Sequence, residues 1–470
     1  MTMSMSSARA MRGNPKMSIS NSNLITIAAA ILAVFTLINL HAMALTSCCD
    51  PTKNEQQQQQ QRLLGGGAVD CSKQRTAAAM SLERRKLRPL QSSTQSSSDA
   101  AAAAVTTTTI GTLESTLLYL FNSIDPPHWK DTDLGEQHLN MKTVTNAYRR
   151  SLYVDKEDIT LVTHGSIEKF SHLLDQVSRW QGPISFVMYL NNVPDIKLFC
   201  TNMKTKVTPD VLKFVSIHVL LEKHGGTLPY PNNVLRNIAQ RNIESNYFLL
   251  MDVDFIPSPG MYDYLKLSLE NDAFWIKLRN NTVFVLPAFE RFAPTDDSFA
   301  TLDMVPNTKK ELQTLLRKEE AATFHHYFPP GHYPTNFTHW LKPNTGHQFS
   351  FPIDYMKRYE PYVIAYKRGI PDFWDGFRGF GFNAATWFWE LNLAGYSYEV
   401  IHDYYVVHLN HPGRKGRNIT DGGIAKLQLR RFMRYISRKY QVDQMKLRYW
   451  KGRKYGGNDS DVSLVCYNCK

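Results

Sequence analysis

The sequence predicts an α/β domain built on a mostly parallel central sheet. Three observations lead there. Apolar runs of strand length alternate with stretches of helical apolar spacing. One buried run, residues 247–251, stops abruptly at Asp252-Val253-Asp254. The chain has 470 residues, 43% of them hydrophobic, enough apolar material for one large domain or two ordinary ones. Strand–helix alternation is the pattern of parallel strands joined by crossover helices.

The chain opens on a leader of a different kind. Residues 24–45 are a nearly uninterrupted apolar segment, long enough to span a bilayer, although Asn39 and His41 weaken its outer end. Arg9, Arg12 and Lys16 precede it without an acidic residue, so the positive-inside rule assigns 1–23 to the cytosol and the rest to the lumen. A cleaved signal peptide is the rival reading, because Ala42-Met43-Ala44 resembles a small-x-small cleavage site. Both readings send the body of the chain into the secretory pathway. Sequons at Asn280, Asn336, Asn418 and Asn458 are compatible with that.

Residues 46–115 read as a disordered stem. A glutamine run at 56–61, a glycine run at 65–67 and a Ser/Thr/Gln/Ala stretch at 92–109 cannot bury enough apolar surface to offset ordering entropy. Cys48 and Cys49 adjoin the apolar segment, where acylation or a link between two chains in a homodimer would place them. Cys466-x-x-Cys469 reads as a disulfide element, since no second pair or histidines stand nearby for zinc.

The head follows in order. Residues 158–165 read as a strand, 167–180 as a helix, and 184–190 and 211–221 as further strands. Residues 233–244 are helical and 247–251 form the strand before Asp252. Residues 274–276 and 283–286 continue the sheet. Residues 309–323 read as a surface helix, 384–393 as another, 404–407 as a strand and 424–440 as a basic helix.

A buried strand ending in Asp-x-Asp puts carboxylates at the carboxyl end of a sheet, where α/β folds bind ligands. Asp252 and Asp254 offer hard oxygens to Mg²⁺ or Mn²⁺, which can in turn hold a diphosphate. A solvated turn is the alternative. The net charge is +12, with much of the excess within 414–454. No RNP, zinc-finger or helix-turn-helix signature accompanies it, so nucleic acid is not the expected partner.

Six segments then gain weight together. They are Tyr230-Pro-Asn-Asn-Val-Leu-Arg-Asn-Ile-Ala239, Phe248-Leu-Leu-Met-Asp-Val-Asp-Phe-Ile-Pro-Ser258 and Gly331-His-Tyr-Pro-Thr-Asn336. Tyr359-Glu-Pro-Tyr-Val363, Phe377-Arg-Gly-Phe-Gly-Phe-Asn383 and Val406-Val-His-Leu409 complete the set. In this order and spacing, the stretch from residue 158 to 411 resembles one glycosyltransferase family. It is that of the β-1,4-glucuronyltransferase acting on α-dystroglycan glycans and of the glucuronyltransferase half of the LARGE-type enzymes (family 49 type).

The resemblance implies a GT-A type fold in a single catalytic domain over 116–455, followed by a tail at 456–470. It implies Golgi placement, a UDP-sugar donor and a glycan or glycoprotein acceptor. Inversion at the anomeric carbon follows, with glucuronate the first-choice sugar and N-acetylglucosamine or another hexose the alternative. A catalytically weak relative that binds glycans or a partner enzyme is the competing reading.

It also assigns roles. Asp252, Asp254 and His408 would hold Mn²⁺ (or Mg²⁺), imidazole favouring Mn²⁺; His411 is an alternative ligand, and a buried core histidine is the plain reading of His408. Thr163 and His164 end the first strand, where such a fold receives uridine. Arg236 and Asn237 precede the metal strand, and Arg236 would pair with a phosphate or a donor carboxylate. Asp252, His332 and Asn383 are carried over as substrate-binding positions. Asp375 is the candidate base, and Glu390 a second carboxylate that would orient acceptor hydroxyls. The family's aromatic-Asp-Glu-Arg-Phe is replaced here by Phe373-Trp374-Asp375-Gly376-Phe377. The lost arginine puts a carboxylate-bearing donor in doubt. Most of the aromatic cluster from Trp374 to Trp389 should be core, with one or two rings stacking on a sugar. Asn336, on a loop expected near the acceptor, should carry no glycan.

Overall fold

The structure is a computed structural model, and it describes residues 99–124, 141–223, 229–293, 295, 300–346, 348–379, 381–409 and 420–443. All of them belong to one compact unit, Ser97–Lys470. The apolar segment at 24–45, His411, the sequons at Asn418 and Asn458, and every cysteine except Cys200 lie outside the described residues. Among the described residues no helix is long and apolar enough to cross a membrane.

Among the described residues thirteen strands form two sheets. They are β1 (Met141–Tyr148), β2 (Ile159–Ser166), β3 (Ile184–Leu190), β4 (Val215–Glu222), β5 (Tyr247–Leu250), β6 (Phe255–Pro257) and β7 (Thr282–Leu286). Then come β8 (Ala288–Arg291), β9 (Ala321–Thr323), β10 (Ser350–Ile353), β11 (Tyr362–Tyr366), β12 (Ser397–Ile401) and β13 (Val406–Leu409). The large sheet has nine strands in the order β1-β4-β3-β2-β5-β11-β7-β12-β10, and the small one four, β6-β13-β8-β9. Strands β4, β3, β2 and β5 pair in parallel, and β7 and β12 run the same way, so six of the nine share one direction. Strands β1, β11 and β10 run against them.

The parallel block reads as continuous apolar sequence because helices cover both of its faces. Alternate residues divide between two cores. Leu161, Phe186 and Leu249 pack on one face, and Val162, Val187 and Phe248 on the other. Period-two alternation of the strand makes that division.

Four local expectations change. Residues 274–276 are not strand but lie in the helix Asp272–Arg279. Asn271 caps it by accepting from the Ala273 amide, and Phe274 and Leu278, one turn apart, are its buried face. Residues 211–214 belong to the helix Pro209–Phe214, capped by Thr208, so that strand begins only at Val215. The helix expected over 309–323 ends at Arg317, and Ala321–Thr323 is β9. The helix Asp99–Asn122 begins inside the Ala/Thr run read as stem, alanine being the best helix former, and buries Ile110, Leu117 and Phe121.

Candidate active site

The Asp-x-Asp turn joins the two sheets. Strand β5 ends at Leu250 in the large sheet and β6 starts at Phe255 in the small one. The Phe255 amide donates to the Asp252 carbonyl at 3.1 Å and closes the turn. Buried Gln176 fixes it from behind, its amide nitrogen donating to the carbonyls of Asp252 (2.9 Å) and Phe255 (2.8 Å).

Each carboxylate has partners from separate elements. The Asp252 Oδ1 faces the Arg236 guanidinium at 3.4 Å, and its Oδ2 accepts from the Tyr362 hydroxyl at 3.1 Å. Burial, and then the charge of Asp252, push the Tyr362 phenol well above its usual range, so it stays a donor. The Asp254 Oδ2 lies 3.3 Å from Lys169 Nζ and 3.8 Å from His408 Nε2. His408 lies within β13, directly opposite Phe255 of β6, and that register brings it to Asp254.

Arg236 and Asn237 sit on the helix Asn232–Arg241, but only Arg236 faces the carboxylates. Its guanidinium also donates to Asn383 Oδ1 at 2.6 Å and to Asn233 Oδ1 at 3.1 Å. Asn237 is a correction to the sequence reading. Its amide accepts from the Phe373 amide and donates to the Phe373 carbonyl and Asp375 Oδ1, so it is committed to positioning that loop rather than substrate. Asn233 holds the same loop through the carbonyls of Trp374 and Asn383. Asp375 is half-buried at its centre.

The two departures at 374 and 376 prove to be coupled. The Trp374 ring stands against Gly376, so closely that a Cβ at 376 would collide with it. Phe377, Trp387, Phe388 and Trp389 are buried as expected, and Trp374 is partly accessible.

Thr163 and His164 were expected to end their strand but lie within β2, which runs on to Ser166, beside this network. His164 Nδ1 pairs with the Tyr230 hydroxyl at 3.0 Å, while His164 Nε2 and Thr163 Oγ1 are buried without a hydrogen-bond partner among the described residues. Burial, and then Arg236, push the His164 imidazole down to about 4, so it is neutral at physiological pH. Buried polar atoms without partners are rare and fit a ligand contact. His332 is buried behind Tyr362, its ring centroid 6.3 Å away. Burial, and then His325, lower its pKa well below the ordinary histidine range.

Glu390 does not join this group. Its side chain is fully buried and bound to Lys439 Nζ at 2.7 Å and the Tyr440 hydroxyl at 3.1 Å. It ties the helix Ala385–Leu393 to the helix Thr420–Tyr440, and no described contact links it to Asp252 or Asp254. A lysine arriving from the basic helix turns the expected acceptor ligand into a structural ion pair.

Glu360 is the residue that sequence reasoning passed over. Burial pushes its carboxyl up to about 7, with Arg236 pulling it down and Asp252 pushing it up. Its amide donates to the Gly331 carbonyl at 2.8 Å, joining two of the matched segments. Its place inside Tyr359–Val363 was the available signal.

No three His, Cys, Asp or Glu side chains among the described residues gather on one metal-sized position. Asp254 and His408 face each other, while Asp252 is turned to Arg236 and Tyr362. A carboxylate opposite an imidazole is a donor pair of the right kind for Mn²⁺ or Mg²⁺. The pair therefore fits a divalent ion, and Asp252 joins it only on leaving Arg236.

A family profile described as glycosyl-transferase for dystroglycan matches residues 158–226 and 221–449, together more than half of the chain. The xylosyl- and glucuronyltransferase LARGE2 of Rattus norvegicus is 33% identical over 259 residues, 54% of this chain and 34% of the relative. LARGE1 of Mus musculus is 30% identical over 259 residues, 55% of this chain and 32% of the relative. The chain thus spans about a third of the length of the curated relatives it matches. GalNAc-T7, solved with UDP, GalNAc and Mn²⁺, overlaps at TM-score 0.35 and 11% identity, covering 58% of this chain and 47% of that one. A likeness that loose bears no weight. The α/β plan with Asp-x-Asp at the carboxyl end of a central parallel strand is of the GT-A type. The profile spans every element that builds the carboxylate cluster, and the chain belongs to this glycosyltransferase family.

Proposed function

We propose that the chain is a metal-dependent, inverting glycosyltransferase that moves a sugar, glucuronate first, from UDP to a glycan acceptor on protein. The single observation that supports it best is the meeting of three features at one sheet junction. These are the Asp254–His408 pair, the Arg236-linked Asp252 and Asn383, and the partnerless polar atoms of Thr163 and His164.

In this reading Asp254 and His408, joined by Asp252, would hold Mn²⁺ or Mg²⁺. A bound ion supplies charge neutralisation for the departing diphosphate. Arg236 and Lys169 add fixed positive charge beside the same carboxylates. Neutral His164 keeps its Nε2, buried without a partner among the described residues, for the nucleotide. The acceptor hydroxyl attacks the anomeric carbon as the bond to UDP breaks, and a carboxylate takes the hydroxyl proton. Asp375 is the proposed base, and Glu360 the second carboxyl placed to serve. A membrane segment at 24–45 would hold the domain in the Golgi lumen, as a monomer or a homodimer.

One observation favours an alternative donor. The Trp374 ring over Gly376 leaves no cation at that point of the loop, which suits an uncharged UDP-hexose such as UDP-N-acetylglucosamine. The test uses the detergent-purified full chain with Mn²⁺. UDP release is followed across a panel of UDP-sugars, with and without xylosyl and galactosyl acceptors, beside an Asp252→Ala/Asp254→Ala control. Turnover of one donor that needs metal and vanishes in the control supports the reading. A folded chain that does not bind UDP sinks it.

A further inference from the structure

We propose that Tyr327, Phe328 and Tyr333 form an aromatic platform that binds an uncharged sugar ring of the acceptor glycan; the proposal rests on the transferase reading above. Large apolar side chains normally go inside, so a group of them left outside is informative. Ten large hydrophobics are exposed among the described residues, and seven are scattered over the chain. Tyr327 (65% exposed), Phe328 (37%) and Tyr333 (49%) instead fall within one short loop.

The backbone that carries these rings is tightly held. Pro329, Pro330 and Pro334 fix the backbone around them. Two successive 3₁₀ turns, Pro329–Gly331 and Tyr333–Thr335, close through the Gly331 amide to the Phe328 carbonyl (3.1 Å) and the Thr335 amide to the His332 carbonyl (3.0 Å). Gly331 is itself covered by the rings of Phe328 and His325, each about 3.4 Å from where a Cβ would stand. A loop backbone already fixed loses little freedom on binding, which favours a weakly held ligand such as a sugar.

The rings are continuous with the reaction centre. Tyr327 packs on His325 with centroids 5.6 Å apart, His325 stacks on Phe324 at 4.0 Å, and Phe324 meets His408 at 5.3 Å. His332, between Phe328 and Tyr333 in sequence, packs on Phe324 at 5.1 Å and beside Tyr362, which bonds Asp252. Tyr327 therefore stands at the outer end of a chain of rings that reaches His408, a proposed metal ligand.

Charge chooses the occupant. Residues 321–341 contain no Asp, Glu, Lys or Arg, in a chain where such residues make up 20%. Of its four histidines, His332 is buried and His326 is taken up by Glu290 at 2.9 Å, so no permanently charged side chain there is offered to a phosphate, a uronate or a charged peptide. A neutral pyranose fits, since its C–H face packs on an aromatic ring while its hydroxyls stay in water.

The test measures sugar binding apart from turnover. Xylobiose and lactose are the neutral probes, added to the full chain with UDP and Mn²⁺ and read by saturation-transfer NMR; UDP affinity is measured in parallel. Tyr327→Ser combined with Tyr333→Ser should weaken binding of a probe by about tenfold, in the range of one lost aromatic contact. Tyr327→Phe with Tyr333→Phe should restore it, and UDP affinity should stay constant in both. Equal probe binding in the serine variant overturns the platform. So does an unaltered chain that binds UDP but neither sugar. Loss of dimer in the serine variant with sugar binding intact would make the patch an interface between copies instead. Failure of the unaltered chain to bind UDP is a separate result and strikes the transferase reading.

Discussion

At the Asp252 turn the acid is the accessible partner and the cation the buried one. Asp252 keeps 41% of its side-chain surface exposed, and Arg236 only 7%. At the seam between the helices Ala385–Leu393 and Thr420–Tyr440 the order is reversed. Glu390 has no exposed side-chain surface, while Lys439 keeps 39%. The difference decides what each acid can do. A carboxylate that shows a face to solvent over a buried guanidinium can turn from that partner to a ligand by a side-chain shift alone. A carboxylate sealed under a surface lysine can only hold two helices together.

The largest effect should come from breaking the open site. Asp254→Asn keeps the shape of the side chain but removes the charge facing Lys169 and His408. Turnover should fall at least about a hundredfold, the scale seen when one charge-stabilising group is removed. The midpoint of thermal unfolding should move little, because the side chain keeps 20% of its surface exposed and the asparagine oxygen can still accept from Lys169. A large drop in stability with turnover retained would make Asp254 part of the sealed class.

The sealed site should answer in stability instead. Lys439→Met leaves the Glu390 carboxylate buried without its cation, at a cost of about 1–3 kcal/mol for an unsatisfied buried group. Burial already raises the Glu390 pKa against the pull of Lys439, so the acid can escape the penalty by protonating. A raised folded pKa means stability that is full below the unfolded value of 4.5 and lost as pH rises. The variant should therefore match the unaltered chain in acid and fall behind it at neutral pH. Glu390→Gln, by contrast, should keep turnover within about twofold, since no reacting group is lost. Denaturant titrations at two pH values decide the first point, and a rate measurement the second.

The contrast also shows what a sequence can carry. Asp252 and Asp254 were legible because an apolar strand breaks into acid within one residue. His408 was legible only through the matched segment Val406–Leu409, since a histidine in a strand is more often plain core. Glu390 was misread because its partner Lys439 stands 49 residues on, in a helix whose packing leaves no local signal. The helix Asp272–Arg279 was misread for a related reason. Phe274-Trp275-Ile276 has the look of a strand, and only the Asn271 cap and the one-turn spacing to Leu278 tell against it. Asn237 looked like a ligand group and is a staple, because side-chain amides serve backbone and substrate equally well.

Glu360 lies between the two classes and should give a smaller effect than Asp254→Asn. It is partly accessible, yet burial lifts its carboxyl to about 7 beside Arg236 and Asp252. If the transfer needs its ionised form, the rate should rise as pH passes through that value. The change should be about tenfold between pH 6 and 8, the span over which one such group ionises. Glu360→Gln should remove that inflection. Stability has the opposite sign. The folded chain holds this proton more tightly than the unfolded one between 4.5 and about 7, so the contribution is full below 4.5 and lost as pH rises through 7. The glutamine variant should lose that downward slope as well. A rate profile left unchanged, with the stability slope gone, would place Glu360 with Glu390 as a structural acid. Both changes together would place it with Asp252.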